Sequence, residues 1–266
     1  MAGHQEELPL LGGVAALLGA PPYVELGGAG PCRVVSGDGL VAKIGPPDVV
    51  AREAAMLARP LPLSAPVLVD AGPGWLVMTA EPDDGRPWSE DELAAALADL
   101  ARLHDEFEGG TERAGDAATP LRRPFSAAGA DELLEPVRRL GYPLPGLLAR
   151  VLLDPAVLLD VAAREPATLL HGDPWPGNVL RPQSGRRVWI DWEMASVGPA
   201  AADLATWLDQ APWHPGVAAG TLAAEGELVE IYLSSRSRPV GRKAIAAAVS
   251  PRKALPASPA CSRCSA

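Results

Sequence analysis

Over the first eighty residues the apolar positions recur mostly with the period of two that marks half-buried strands. Tyr23 to Ile44 reads as three short strands. They break at Gly27, Gly28 and Gly30, and again at Ser36-Gly37-Asp38-Gly39, a strong hairpin signal. Pro66 to Asp70 and Trp75 to Thr79 read as two more strands around Gly72-Pro73-Gly74, completing a five-stranded antiparallel sheet. The apolar stretch Leu8 to Leu18, closed by Gly19 and Pro21-Pro22, predicts a small helix packed on this sheet. A second helix is expected over about Val49 to Arg59, capped by Asp48, with Val50, Ala54 and Leu57 on its apolar face.

Beyond Ser89 the period changes to that of a helix. Ser89 and Glu92 form a capping box, and Leu93, Leu97, Leu100, Leu103 with His104, and Phe107 follow at helical spacing. Residues 108–130 are polar and carry no period. Helices are predicted from Asp131 to Gly141 and over Leu147 to Arg164, the latter open to interruption at Pro155. Ala167 to His171 is a short strand. Val179 to Arg181 and Val188 to Ile190 flank a polar turn as a hairpin, Gly198-Pro199 opens another helix containing Asp203, and Glu225 to Ser235 forms the last. From Arg236 the composition turns to Arg, Lys, Ala, Ser and Pro, and residues 236–266 are expected to be a disordered tail. The fold class is α+β: an N-terminal sheet lobe over residues 1–80 and a mainly helical lobe over 81–235.

Composition narrows the function. The 266 residues carry a formal net charge of −10, which argues against nucleic acid and anionic membranes, since no excess of Lys and Arg is present to neutralise phosphate. The same charge is compatible with a cationic substrate. No apolar run reaches the ~18 residues of a membrane span. With only Cys32, Cys261 and Cys264, there is no disulfide framework, and a reducing cytoplasm is the expected location. Cys261 and Cys264 lack the second ligand pair that zinc needs. Aromatic residues make up 5%, so packing is expected to rely on Leu, Val and Ala.

The chemistry concentrates in LLHGDPWPGNVLRPQSGRRVWIDWE, Leu169 to Glu193. With the hairpin symmetric about Ser184 and Gly185, Leu180 pairs with Trp189 and Asn178 faces Asp191, the Cβ atoms of such partners lying about 4.5–5.5 Å apart. An amide oxygen and a carboxylate on one side are what Mg²⁺ takes when phosphate oxygens and water complete its octahedron. Asp173, in a loop stiffened by Pro174 and Pro176, is placed to orient an attacking hydroxyl and take its proton. Turn capping accounts for each of these residues singly. It does not account for His-x-Asp-x₄-Asn followed by a hairpin that returns an Asp.

HGDPWPGN and IDWE resemble the catalytic and metal loops of the aminoglycoside phosphotransferase / choline kinase-like family, which shares the protein-kinase fold. Trp175 departs from the His that many members carry. By element order the resemblance covers about residues 22 to 235. It implies transfer of the γ-phosphate of ATP or GTP to a small-molecule hydroxyl, with an aminoglycoside-like antibiotic as the first expectation. A choline, sugar or homoserine kinase, or a nucleotide-binding regulatory protein without turnover, are the alternatives. The resemblance implies Asp173 as catalytic base or orienting carboxylate, and Asn178 and Asp191 as Mg²⁺ ligands. Lys43, in a VAKI strand similar to the kinase V-A-I-K motif, would hold the phosphates, with Glu53 on the next helix positioning it, a part Glu25 could also fill. Gly28 and Gly30 would approach the phosphates, and Met78 to Glu81, Ala80 included, would meet adenine through backbone groups. His171 would shape the loop through its own hydrogen bonds, and Asp203 would accept backbone N–H bonds from it. His104 is read as structural, and Trp207, Asp209, Trp213 and His214 as candidates for a substrate wall.

Overall fold

The structure is a computed structural model that describes residues 12–19, 23–26, 31–109, 119–120, 165–218, 220–221 and 225–238. Gly28 and Gly30, the helices expected at Asp131 to Gly141 and Leu147 to Arg164, and residues 239–266 of the expected tail lie outside the described residues.

A short helix α1 (Gly12–Leu18) precedes the strands β1 (Val24–Leu26), β2 (Arg33–Gly37) and β3 (Leu40–Ile44). Helix α2 (Pro47–Leu57) follows, then β4 (Leu68–Gly72) and β5 (Trp75–Thr79). The five strands form one antiparallel sheet in the order β1-β2-β3-β5-β4. Asp38 and Gly39 both take positive φ, 46° and 73°, which is the two-residue turn that the right-handed strand twist favours between β2 and β3. Strand β4 starts two residues later than expected and carries a bulge between Leu68 and Asp70. Helix α2 starts at Pro47 with Pro46 as its N-cap, and Asp48 lies inside the first turn rather than capping it. Proline's preset φ suits the first helical position and displaces the start upstream.

The second lobe begins with α3 (Glu90–Phe107), where the Ser89–Glu92 capping box is present and Leu93, Leu97, Leu100, Leu103, His104 and Phe107 are buried. Three short strands form a second sheet: β10 (Ser196–Pro199) runs between β6 (Thr119–Pro120) and β7 (Ala167–Leu170). Strands β8 (Val179–Leu180) and β9 (Val188–Trp189) make the hairpin. Helices α4 (Ala201–Gln210) and α5 (Glu225–Ser235) complete the described elements.

The core beneath the second sheet is more aromatic than the composition suggests: Trp189, Trp192 and Trp207 are fully buried. They gather there because the rings floor the loop that follows β7. The start of the expected tail is also packed. Arg236 is buried, its guanidinium paired with Asp105 at 2.5 Å and with Glu108, while its Nη1 donates to the Tyr232 hydroxyl at 3.1 Å. Ser237 and Arg238 bond to Asp105 and to the Glu108 carbonyl. The helical lobe therefore extends to at least residue 238. Among the described residues no helix is long and apolar enough to cross a membrane.

Candidate active site

Strand β7 delivers the chain into His171-Gly172-Asp173 at the mouth between the lobes. Gly172 has φ 89°, and a Cβ built on it would lie 2.0 Å from the Met194 carbonyl oxygen, so only glycine fits. The Asp203 carboxylate, in the first turn of α4, accepts the backbone N–H of His171 at 2.8 Å and of Gly172 at 3.0 Å. Asp203 also accepts from His104 Nε2 at 3.1 Å, which leaves His104 Nδ1 to accept from the Tyr232 hydroxyl at 2.6 Å. A buried relay thus runs from Arg236 through Tyr232 and His104 to the loop backbone.

His171 is fully enclosed, its ring 4.5 Å from that of Trp192 and 5.4 Å from that of Trp189. Its Nε2–H donates to the Ile190 carbonyl at 2.9 Å, tying the loop to the end of the hairpin. Burial pushes its pKa below the usual imidazole value, against the pull of Asp203, and keeps the ring neutral.

Asn178 closes the loop. Its amide Nδ2 donates to the Asp173 carbonyl at 2.9 Å and to Asp173 Oδ2 at 3.0 Å. Both amide hydrogens are used, so the oxygen Oδ1 is the atom left to face a cation. Asp173 Oδ1 accepts from Gln210 Nε2 at 3.2 Å, a partner not anticipated from the sequence.

The hairpin register differs from the expectation by one residue. Val179 pairs with Trp189 and Leu180 with Val188, and Ile190, not Asp191, donates its N–H to the Asn178 carbonyl at 3.0 Å. The ladder is centred on Ser184 rather than between Ser184 and Gly185, and Gly185 takes φ 77° in the turn. Asp191 is thus not Asn178's cross-strand partner. It lies one residue past the ladder in left-handed backbone, φ 65° and ψ 58°, before the 3₁₀ turn Trp192–Met194. Such backbone in a residue other than glycine is sparsely populated and gathers at functional sites. Asp191 and Asn178 nevertheless line one cavity together with Asp173 and Lys43.

Lys43 reaches across the cleft from β3. Its Nζ lies 2.7 Å from Glu53 and 2.5 Å from Asp191. Burial disfavours its charge, but the Glu53 and Asp191 carboxylates outweigh that and hold its pKa above the ordinary amine value. Glu53 also accepts the Trp192 backbone N–H at 3.3 Å, so it holds both the lysine and the segment after Asp191. Glu25 pairs instead with Arg33 at 3.1 Å. Glu193, also unanticipated, sits 3.8 Å from Lys43. Glu53, Asp191 and Glu193 offer carboxylate oxygens within 4.8 Å of one another, but the Lys43 ammonium already occupies their midst.

The cavity, about 680 Å³, has an apolar half formed by Leu26, Val34, Val41 and Met78 from the sheet and Leu180 and Ile190 from the hairpin. Two apolar sheets facing across a slot suit a flat heteroaromatic ring. Its edge carries Thr79 and Glu81. Ala80 donates its N–H to the Gly39 carbonyl at 2.8 Å and is not among the residues lining the cavity. Below the slot Arg181 pins the connection between the lobes. Its backbone N–H donates to Asp83 at 2.7 Å, and its guanidinium lies 4.2 Å over the Trp88 ring. Cys32, at the cavity wall, has its thiol pKa pushed up to about 11 by burial and by the Glu193 carboxylate.

Trp175 stands on the open side of the loop, its ring 5.6 Å from that of His214 and edge-on to it. His214 Nδ1 accepts the Gly216 N–H at 3.0 Å, so its Nε2 carries the proton, and burial together with Arg181 lowers its pKa. Trp213 is exposed, while Trp207 is buried and belongs to the floor rather than to a wall.

The model of the family described as "Phosphotransferase enzyme family" matches residues 32–237. No curated protein matches the chain. Among solved structures, a choline/ethanolamine kinase family protein from Mesorhizobium loti is 20% identical with a TM-score of 0.56, over 87% of this chain and 76% of that one. The macrolide 2'-phosphotransferase MphH from Brachybacterium faecium is 20% identical with a TM-score of 0.55, over 87% and 82%. The ADP-bound aminoglycoside phosphotransferase APH(2'')-Ib is 16% identical with a TM-score of 0.57, over 91% and 84%. At these identities the likeness concerns the fold.

Proposed function

The chain belongs to the phosphotransferase enzyme family, and from that premise we propose that it transfers the γ-phosphoryl group of ATP or GTP to a hydroxyl of a small molecule. The observation that carries this reading is the meeting of Lys43, Asp173, Asn178 and Asp191 around one cavity with an apolar slot.

Met78 and the facing Leu180 and Ile190 grip the base, with Thr79 and Glu81 supplying the backbone edge. Lys43 holds the α- and β-phosphates, kept cationic and extended by Glu53. Asn178 Oδ1 and the Asp191 carboxylate are oxygen donors facing the cavity, and the chemistry of that set fits Mg²⁺. When bound, Mg²⁺ supplies charge to the transferring phosphoryl group. Asp173 orients the acceptor hydroxyl and accepts its proton as the oxygen commits to phosphorus. Because the transition state is loose, positioning and charge matter more than proton removal.

An aminoglycoside-like acceptor is the first reading, and the net charge of −10 suits a polycation. A choline-like or macrolide acceptor is the second. It is favoured by the Trp175 and His214 rings beside Asp173, which offer stacking and cation–π surface. The test is ADP release from MgATP and MgGTP against a panel of aminoglycosides, macrolides, aminoalcohols and sugars. Acceptor-dependent release with one member establishes the activity, and silence across the panel with the nucleotide bound favours a regulatory protein.

A further inference from the structure

Helix α4 touches the catalytic loop twice. Asp203, in its first turn, takes the backbone N–H groups of His171 and Gly172. Gln210, its last residue, donates to the side chain of Asp173. Seven residues separate the two, close to two full turns, so they project from one face about 10 Å apart along the axis. One rigid element therefore fixes both the backbone and the carboxylate of the loop.

The two oxygens of Asp173 are also held differently. Oδ2 is held by Asn178, a residue the proposed function assigns to the cation side, and Oδ1 by Gln210, the last residue of α4. Both donors are neutral amides. Each orients the carboxylate without adding a positive charge that would draw its electrons away from an incoming hydroxyl. Rotation about the Cβ–Cγ bond carries both oxygens together, so a second donor on Oδ1 steepens the restraint that the Asn178 bond alone would give.

We propose that Gln210 is a positioning residue that locks the Asp173 carboxylate toward the acceptor side, making α4 a bracket for phosphoryl transfer. The proposal rests on the reading of Asp173 as the carboxylate that receives the acceptor hydroxyl. A misplacement of about 1 Å at such a group costs up to about a hundredfold in rate, and hydrogen bonds to charged groups exceed neutral ones in strength. The lock acts on turnover and not on the nucleotide slot, from whose lining Gln210 is absent.

The test compares Gln210→Met, which keeps length and volume but removes the amide, with Gln210→Glu, which sets a second carboxylate against Asp173. With the best acceptor of the panel and MgATP, Gln210→Met is expected to lower kcat about tenfold and leave the ATP KM within about twofold. Gln210→Glu is expected to lower kcat about a hundredfold. Wild-type kcat in Gln210→Met overturns the proposal, as does a loss expressed in the ATP KM. Thermal unfolding gives a readout independent of turnover: Gln210→Met should lower Tm by about 2–4 °C in the wild-type background and by less than half of that in an Asp173→Ala background. Equal loss in both backgrounds reduces Gln210 to a packing residue. A wild-type chain that binds MgATP but turns over nothing defeats the functional reading, while the unfolding comparison still decides whether Gln210 locks Asp173.

Discussion

The Lys43 ammonium meets the Asp191 carboxylate at 2.5 Å, joining residues 148 positions apart across the cleft. Glu53 holds the same lysine from behind at 2.7 Å, so a strand, a helix and the post-hairpin turn share one cation. Replacing Lys43 with Met leaves the buried Glu53 carboxylate without a counter-charge. Loss of one partner from a buried pair costs about 3–5 kcal/mol. The variant should unfold at a lower denaturant midpoint, and its kcat/KM for ATP should fall at least a hundredfold or so. Equilibrium unfolding and steady-state kinetics measure both.

Asp173 lines the cavity, and among the described residues its carboxylate accepts from the side-chain amides of Asn178 and Gln210. Asp173→Asn should reduce kcat by about a thousandfold, while ATP affinity measured by calorimetry stays within a few-fold of wild type. A variant with unchanged turnover would end the assignment of Asp173 as the hydroxyl's partner.

Asn178 directs its amide nitrogen to Asp173 twice, and its oxygen is the atom proposed to face a cation. Asn178→Ala should move the Mg²⁺ concentration for half-maximal activity upward by about tenfold, and excess Mg²⁺ should restore much of the rate. Asp191→Ala removes the charged donor and the Lys43 contact together, so excess Mg²⁺ should not restore it. Titrating activity against Mg²⁺ separates the two.

Gly172 combines φ 89° with a Cβ position 2.0 Å from the Met194 carbonyl. Gly172→Ala must pay for left-handed backbone and move a main-chain segment, so a loss of more than about 2 kcal/mol is expected by chemical denaturation. The paired loss of activity should not be rescued by higher ATP.

His171 has its pKa depressed by burial, so the folded protein leaves it neutral at a pH where the unfolded chain has already protonated it. Its contribution is constant above the unfolded pKa near 6.5, and stability is lost as pH falls from there toward the folded value. The slope approaches about 1.4 kcal/mol per pH unit for one proton. His171→Asn should flatten the dependence of unfolding free energy between about pH 6.5 and 5. His214 is depressed as well, so the His171→Asn curve should retain a smaller slope.

Much of the fold was readable because its signals are local. The Asp38-Gly39 turn, the capping box at Ser89 and the apolar stripe from Leu93 to Phe107 each lie within a few residues of what they specify. The hairpin was readable as an element but not in its register. Symmetric placement of the turn pairs Leu180 with Trp189, whereas the folded chain pairs it with Val188. A one-residue slip turns each side chain to the opposite face, but Val188 and Trp189 are consecutive and both buried, so the apolar pattern does not mark which register the chain takes. The bond from the Ala80 N–H to the Gly39 carbonyl was likewise not readable, because it joins the end of β5 to the β2–β3 turn far earlier in the chain.

By itself the order of residues determined the chemical inventory: a lysine on a strand, a glutamate on the next helix, and His-x-Asp-x₄-Asn ahead of an Asp-Trp-Glu turn. Turn chemistry and periodicity act over short spans, so these are visible without coordinates. Tertiary packing alone decided where the side chains meet. It placed Asp191 in left-handed backbone against Lys43, set Glu193 beside them, buried Arg236 under α3 and brought Gln210 to Asp173. Such meetings depend on the direction in which two distant elements face each other. Each chain segment fixes its own dihedral preferences, but the burial of a shared core fixes their relative orientation.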